Sequence, residues 1–539
     1  RSSDLGEMNG RMLWKDQVLR VEARGAVPMP VLRPFYRDHR LAPALTHLET
    51  TGLQSLTATI SATLSKTETG LGLDQLRINE VALKHKLGTL QGWMELANKQ
   101  VRYQLESNLP PEIGKPFFPG QPLEKVLGDF SVNEKSKCYV KLDGTIDPAN
   151  KHNWSVKGIG KVENLSYRDV PVHSVQTQMD FKHGYLLFSD IAIDYNYSNY
   201  ELQRSYQGGI HGPVQAKSVS YTHETGLVEI TSLRGSVHPV PLLQMFAKPV
   251  ADSLTQFRFH APPSLTANGV IDVRNRGLTR LQVNLDNAKA LDWNFLGKNV
   301  TFRNASTNLL IRAQDVALSK LSCVAFGGDC NGTVNVALKG AKTFSADIRW
   351  NDITMAGLAE TYEFKEKGYG TLTGRIELSG VSDDTRTLKG HGLCSLEKGE
   401  LFAVPIFGPL SPVIAGVLGD RRAGFERAKD AFCNFSINKG VIHTNDFITQ
   451  TSSLKFTGNG DVDLNQKTID MTIRMNARGL LGIITLPLQP IIKGLFQFQG
   501  QGPLNKPKWE HVIFTSPPDE EKDILLRNAP LRAQVVPED

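Results

Sequence analysis

The sequence predicts a mainly β protein assembled from repeated antiparallel meanders, each preceded or followed by one helix. Three observations predict this. First, apolar and polar residues alternate with period two. Ile469, Met471, Ile473 and Met475 alternate with Asp470, Thr472 and Arg474, and Phe344, Ala346, Ile348 and Trp350 alternate with Ser345, Asp347 and Arg349. Leu454 and Phe456, then Val462 and Leu464, continue the pattern. Second, turn signals punctuate these segments: NKG at 438–440, GNG at 458–460 and EKG at 397–399. Third, the chain repeats itself. DGTID at 143–147 matches NGVID at 268–272, and DIAI at 190–193 matches DVAL at 315–318, both at one offset (268 − 143 = 315 − 190 = 125). Between them, Val156–Gly160 aligns with Leu281–Leu285 at the same offset. The short element returns as EVAL at 80–83 and DFIT at 446–449, so its four starts lie 110, 125 and 131 residues apart (190 − 80, 315 − 190, 446 − 315). About four units of 110–130 residues follow from that spacing.

The length of 539 residues exceeds one hydrophobic core. The repeat divides it into an N-terminal β unit at 1–121, a meander-plus-helix repeat at 122–240, a second at 241–369, a C-terminal region at 370–515 and a polar tail at 516–539. Hydrophobic residues at 40% and charged residues at 22% mark a globular chain, and 47 glycines with 28 prolines suit many turns. A net charge of +6 is too dilute for a nucleic-acid partner. The chain opens on Arg1 with no signal peptide, so a leader or anchor is expected upstream. The apolar stretches Leu401–Gly419 and Leu480–Phe498 are broken by Pro405, Pro409 and Pro412, and by Pro487 and Pro490; neither reads as a membrane-spanning helix.

Three helices are expected: Pro122–Phe130, Pro241–Phe257, and Pro405–Gly419 running on to about Asp430. Leu242, Leu243, Phe246, Val250 and Leu254 form one face of the second. Three helices are too few to cover every apolar sheet face. Either two sheets pack on each other, or the apolar face stays partly open as a groove. Cys323 and Cys330 flank AFGGD, a hairpin tip able to bring them together as a disulfide or as two buried thiols. Cys394 and Cys433 are a second candidate pair across strands, which leaves Cys138 over; no cysteine spacing suggests zinc.

The C-terminal third narrows the choice between sandwich and groove. GTLTGRIELSG at 370–380 opens it with a strand rich in small residues, and LKGHGLCSLEKGELFAVPIFGPLSPVIAGVLG at 388–419 adds a strand, a KG turn and a helix start. FCNFSINKGVIHTNDFITQTSSLKFTGNGDVDLNQKTIDMTIRM at 432–475 supplies successive hairpins, and FQFQGQGPLNKPKW at 496–509 closes the region. In order and spacing, residues 370–510 resemble the AsmA-like C-terminal region, found in bacterial envelope proteins of the AsmA, TamB and YhdP types. The resemblance implies elongated, twisted antiparallel sheets curled into a half-pipe with an apolar interior. It implies an inner-membrane attachment by an N-terminal helix, a periplasmic span toward the outer membrane, and a part in phospholipid movement or outer-membrane homeostasis. The anchoring helix does not fall within residues 1–539, so either an anchor upstream or a soluble member is expected.

Lipid suits such a groove physically. Each CH₂ taken from water is worth about 0.8 kcal/mol, so a sixteen-carbon chain is on the order of 12 kcal/mol uphill to expose. The candidate groove residues are Phe344, Ile348, Trp350, Ile376, Leu378, Phe456, Met471, Ile473, Met475, Phe496 and Phe498, with a closed core as their alternative fate. Phe402–Leu418 reads as a membrane-docking or pipe-plugging helix, or as a helix capping one sheet; Leu480–Leu495 reads as a lipid-facing rim or a buried strand and turn. Arg421 and Arg422 beside the first would suit anionic headgroups or end a solvated helix.

Catalytic signatures are missing from the sequence: no HExxH, GxSxG or GxxxxGK[ST] occurs. Thirteen histidines are scattered, His238, His260 and His391 among them. Asp383–Asp384 lacks the spacing of a calcium loop, and NGD at 459–461 and GGD at 327–329 read as turns. The expectation is a non-catalytic, cofactor-free envelope protein whose partners are phospholipid or another acyl lipid and a membrane at one or both ends. The alternative is an assembly factor for outer-membrane β-proteins that works through open sheet edges, with a surface adhesin third.

Overall fold

The computed structural model describes residues 8–513 apart from 16–17, 27–41, 68–69, 118–127, 148–149, 151–153, 169, 197–210, 241–251, 253–254, 276, 296, 338, 365–367, 400, 402–405, 419–429, 451–453 and 478–495. Strands take up 73% and helices 9%, which settles the class as mainly β. The chain divides into two compact units: Arg1–Thr255 with Ala261–Leu281, and Gln256–His260 with Gln282–Asp539.

The first unit holds β1 (Met8–Lys15), β2 (Val18–Ala26), β3 (Leu53–Thr67), β4 (Gly70–His85), β5 (Gly88–Ala97), β6 (Gln100–Ser107), β7 (Phe130–Ile146), β8 (Ser155–Tyr167), β9 (Val170–Lys182), β10 (Tyr185–Asn196), β11 (His211–Thr222), β12 (Leu227–Ser236) and β14 (Ser264–Asp272). Each of β1 to β11 pairs antiparallel with the next, and β12 pairs with β14. Helix α1 (Ala42–Thr51) precedes β3 and buries Leu48, with Pro43 in its first turn, where a missing N–H costs nothing.

The second unit holds β13 (Phe257–Phe259), β15 (Arg280–Phe295), β16 (Lys298–Arg312), β17 (Asp315–Ala325), β18 (Gly328–Ala337), β19 (Thr343–Thr354), β20 (Thr371–Val381), β21 (Asp384–Glu397), β22 (Asp430–Asn438), β23 (Val441–Gln450), β24 (Leu454–Asp463), β25 (Thr468–Ala477), β26 (Gln497–Pro503) and β27 (Lys508–Val512). From β16 onward each strand pairs antiparallel with the next. Helix α2 (Met355–Tyr362) follows β19. The Thr354 hydroxyl caps it, accepting from the Gly357 N–H at 3.0 Å and donating to the Phe326 carbonyl at 2.8 Å. Helix α3 (Leu410–Leu418) lies between β21 and β22. Among the described residues β1 pairs with β2 and β27 with β26, so the sheet is open and not a closed barrel.

The recurring four-residue element falls in a strand each time: β4, β10, β17 and β23. NKG and GGD close the hairpins expected of them, with Lys439, Gly440, Phe326 and Gly327 all at positive φ. GNG does not. Residues 458–460, and NGD with them, run inside β24, where Gly458 and Gly460 lie beneath Ile473 and Met471 of β25. The glycines there answer a crowding demand from the next strand, not a turn. Only the last residues of the expected helices are corrected. Phe130 opens β7, Phe257 opens β13 and Asp430 opens β22; the rest of Pro122–Phe130 and Pro241–Phe257 lies almost wholly outside the described residues. Only the third helix is described, as α3, and α1 and α2 are additions.

Several strands carry a bulge. Asp190, Ser232, Asn304, Lys320 and Asp352 have φ between 51° and 55°, each at a break in register. A bulge bends its strand and sharpens the local twist, so a series of them coils a meander.

Candidate functional site

The register in the first unit lines apolar residues up across every strand. One row runs Gly25, Ala58, Val81, Gly92, Leu105 and Leu142 across β2 to β7. It continues through Gly158, Met179, Phe188, Val219 and Ile230 to Gly269 on β14. The neighbouring row runs from Gly10 and Ala23 through Ile60, Ile78, Met94 and Tyr103. It goes on through Gly144, Val156, Phe181, Leu186 and Tyr221 to Val228 and Ile271. A third row, Met12, Val21, Ala62, Leu76, Leu96, Val101 and Ile146, spans β1 to β7. At roughly 4.8 Å per strand the first two rows extend for on the order of 60 Å.

Most of this face is half-buried, as side chains are when only their neighbours in the same sheet cover them. Ile60 is 37% exposed and Met12 69%. Gly160 lies on the same face, opposite Val140 and Thr177, and a side chain built there would meet nothing within 4 Å. Among the described residues cover is found near strand ends and over Tyr103, where the turn Pro111–Phe117 buries Ile113 against α1 and β7. A core of Leu165, Val170, Val172, Tyr195, Val214, Val237 and Leu265 closes the face near β8–β12, and α1 packs Leu48 near the start of β3.

The second unit shows the same patterning with two outcomes. Leu309, Leu318, Val334, Ala346, Leu378, Gly390 and Ile437 form one row across β16–β22, and Gly332, Ile348, Ile376, Gly392 and Phe435 form the next. Of the groove candidates, Phe344, Ile348, Trp350, Ile376 and Leu378 lie here, half-buried and outside both buried cores; the Trp350 ring lies over Gly374. Phe456, Met471, Ile473, Met475 and Phe498 lie further along the same sheet and are 0–4% exposed. Helix α3 occupies their face. Leu410 and Ile414 join them in one core, Phe407 stacks on Phe447 with ring centroids 5.3 Å apart, and the Trp509 indole donates to the Ile406 carbonyl at 2.9 Å. Phe496 packs at that core's margin. Phe402, Arg421, Arg422 and Leu480–Leu495 lie outside the described residues.

The apolar rows of the first unit escaped the sequence reading, although LTATISATL at 56–64 carries the same alternation. Its glycines hid the signal. Gly25, Gly92, Gly158 and Gly269 stand in the row as spacers and count as turn formers in a sequence scan. At Gly92 and Gly158 an added side chain would collide with the Gln104 carbonyl, and with Leu142 and the Lys141 carbonyl.

The polar faces carry paired charges. Thr333, Asp347, Arg375, Glu377, Lys389 and His391 line a shallow concavity of about 650 Å³. Arg375 donates two hydrogen bonds to Asp347, both 2.8 Å, and pairs with Glu377 at 2.6 Å; this guanidinium holds the Asp347 carboxyl below the usual range. Elsewhere His260 meets Asp292 at 2.8 Å while Thr301 donates to the other Asp292 oxygen. The carboxylate sits in the middle of that chain, an order that does not activate the hydroxyl as a nucleophile. Among the described residues no three His, Cys, Asp or Glu side chains converge to hold a metal ion, and no helix is long and apolar enough to cross a membrane.

The fold and this face define a class: an open antiparallel β-meander protein whose described strands share one long, half-buried apolar face. No protein-family model matches the chain, and no curated protein matches it.

Proposed function

We propose that this protein is a non-catalytic component of the bacterial cell envelope that holds or conducts acyl lipid, phospholipid in the first place, along the apolar face of its sheet. The observation that carries the reading is the run of apolar rows across the first unit with Gly160 open at its floor. A water-facing surface of that length is costly, and an acyl chain laid on it gains about 0.8 kcal/mol per CH₂ removed from water. No chemical step is needed, only a continuous apolar path. The AsmA-like pattern at 370–510 agrees with this role and with a periplasmic location between inner and outer membranes.

Gentle purification followed by solvent extraction and lipid mass spectrometry tests the proposal. Phospholipid is expected to leave with the wild-type chain. Gly160→Trp fills the open floor position without backbone strain and is expected to fold while carrying less lipid. Folded wild-type protein that yields no lipid would overturn the reading.

A second reading has its own observation. The edge strand β1 pairs on one side, with β2, among the described residues, and it exposes Met12 at 69%, Leu13 at 59% and Trp14 at 54%. An unpaired apolar edge can template an incoming strand, as an assembly factor for outer-membrane β-proteins would require. Bound polypeptide in place of lipid after the same purification would favour it.

A further inference from the structure

The structure places four of the five cysteines in two directly opposed pairs. Cys323 of β17 faces Cys330 of β18, and Cys394 of β21 faces Cys433 of β22. All five thiols are unbonded in the structure. Both pairs lie in one row across the second unit: Cys323, Cys330, Trp350, Gly374, Cys394, Cys433. Five cysteines scattered at random among 539 residues would rarely oppose even once. Opposed positions of an antiparallel pair stand about 4.5–5.5 Å apart at Cα, inside the range a disulfide spans. Cys323 and Cys330 already share a thiol–thiol hydrogen bond, so their side chains meet.

We propose that Cys323–Cys330 and Cys394–Cys433 are cross-strand disulfides in the mature protein, formed by exchange with an external small-molecule or protein disulfide. In each case one thiolate attacks a sulfur of the incoming disulfide and displaces its first thiol. The second cysteine then attacks the mixed disulfide and displaces the other. One S–S bond forms, two electrons pass to the incoming disulfide, and that disulfide leaves as two thiols.

The two bonds act differently. Cys323–Cys330 locks a tight hairpin whose ends are seven residues apart (330 − 323 = 7). Cys394–Cys433 closes a loop of 39 residues (433 − 394 = 39) that carries α3, the helix covering the closed core. It therefore fastens that cover to the sheet at both ends of the excursion. Burial raises both of these thiols, Cys394 to about 11, so they exchange slowly once β21 and β22 have closed. Cys138 is buried opposite Val162, also raised to about 11, and has no cysteine opposite it.

The full chain, purified without reductant and equilibrated with a glutathione redox buffer during refolding, is denatured, alkylated and weighed intact. One alkylated cysteine is expected, mapping to Cys138, with the other four alkylated only after reduction. The thermal midpoint is expected to fall on reduction, and Cys394→Ser with Cys433→Ser is expected to lower it more than Cys323→Ser with Cys330→Ser, because the longer loop restrains the unfolded chain more. Five cysteines alkylated without reduction overturns the proposal, as do bridges that join other partners. Three alkylated overturns it for whichever pair stays reduced. None of these outcomes depends on whether lipid is bound.

Discussion

The apolar face of the first unit and the β24–β26 core of the second obey the same rule of alternation and end differently. In the core, α3 lies on the face and Ile473 and Phe498 are 1% and 0% exposed. Across β2–β12 the equivalent rows are mostly half-buried among the described residues, and a side chain built at Gly160 would meet nothing within 4 Å. Alternation makes an apolar face; the connection between strands decides whether that face is covered. Between β21 and β22 the chain makes a long excursion that carries a helix, whereas β3–β6 and β8–β10 follow one another through tight turns with nothing to spare as a lid.

That contrast breaks first under a buried charge. Ile473→Asp is expected to cost at least about 4 kcal/mol and to unfold the second unit's core, because the carboxylate has no partner there. Met179→Asp in the first unit is expected to cost less than about 1.5 kcal/mol, because the charge stays wet, while lipid binding is lost. Urea titration read by pulse proteolysis separates the two; equal losses would show the first unit's face to be a closed core. Truncating Phe498 to Ala is expected to cost about 3–5 kcal/mol, and Phe188→Ala less than half as much.

His238 sharpens the comparison from the covered end of the first unit. It is 2% exposed, in the segment that closes the core at β8–β12, and burial lowers its pKa from 6.5 to about 4. Between pH 6.5 and about 4 the unfolded chain takes up a proton that the folded one refuses, so stability falls as pH falls through that window. A shift of this size corresponds to up to about 3 kcal/mol. His238→Gln is expected to flatten the first unit's stability over that range in pH-stepped urea melts. The smallest effect is expected at the polar face, where Arg375→Ala removes a half-exposed pair with Asp347 worth about 0.5–1 kcal/mol in a double-mutant cycle with Asp347→Ala.

Much of the fold was legible because period two is a local property. The β class, the strands around Phe344–Trp350 and Ile469–Met475, and the hairpins at NKG and GGD all follow from neighbours in sequence. The candidate site was less legible. Phe344 and Phe498 look alike in sequence, and only the placement of α3 separates a half-buried side chain from a closed core. The rows of the first unit depend on register between residues up to 45 apart in the chain (146 − 101 = 45), and glycine spacers such as Gly158 interrupt the alternation that a sequence scan follows. The GNG signal misled for a related reason: Gly458 and Gly460 are small because Ile473 and Met471 press on them from the next strand.

Photocrosslinking in cells tests the central claim most directly. A benzophenone amino acid is placed at Gly160, on the open face, and separately at Phe498, in the closed core, and adducts are identified by mass spectrometry. Acyl-lipid adducts at Gly160 and none at Phe498 are the predicted result. Folded protein with no lipid adduct at Gly160, or with equal adducts at both positions, would contradict the account.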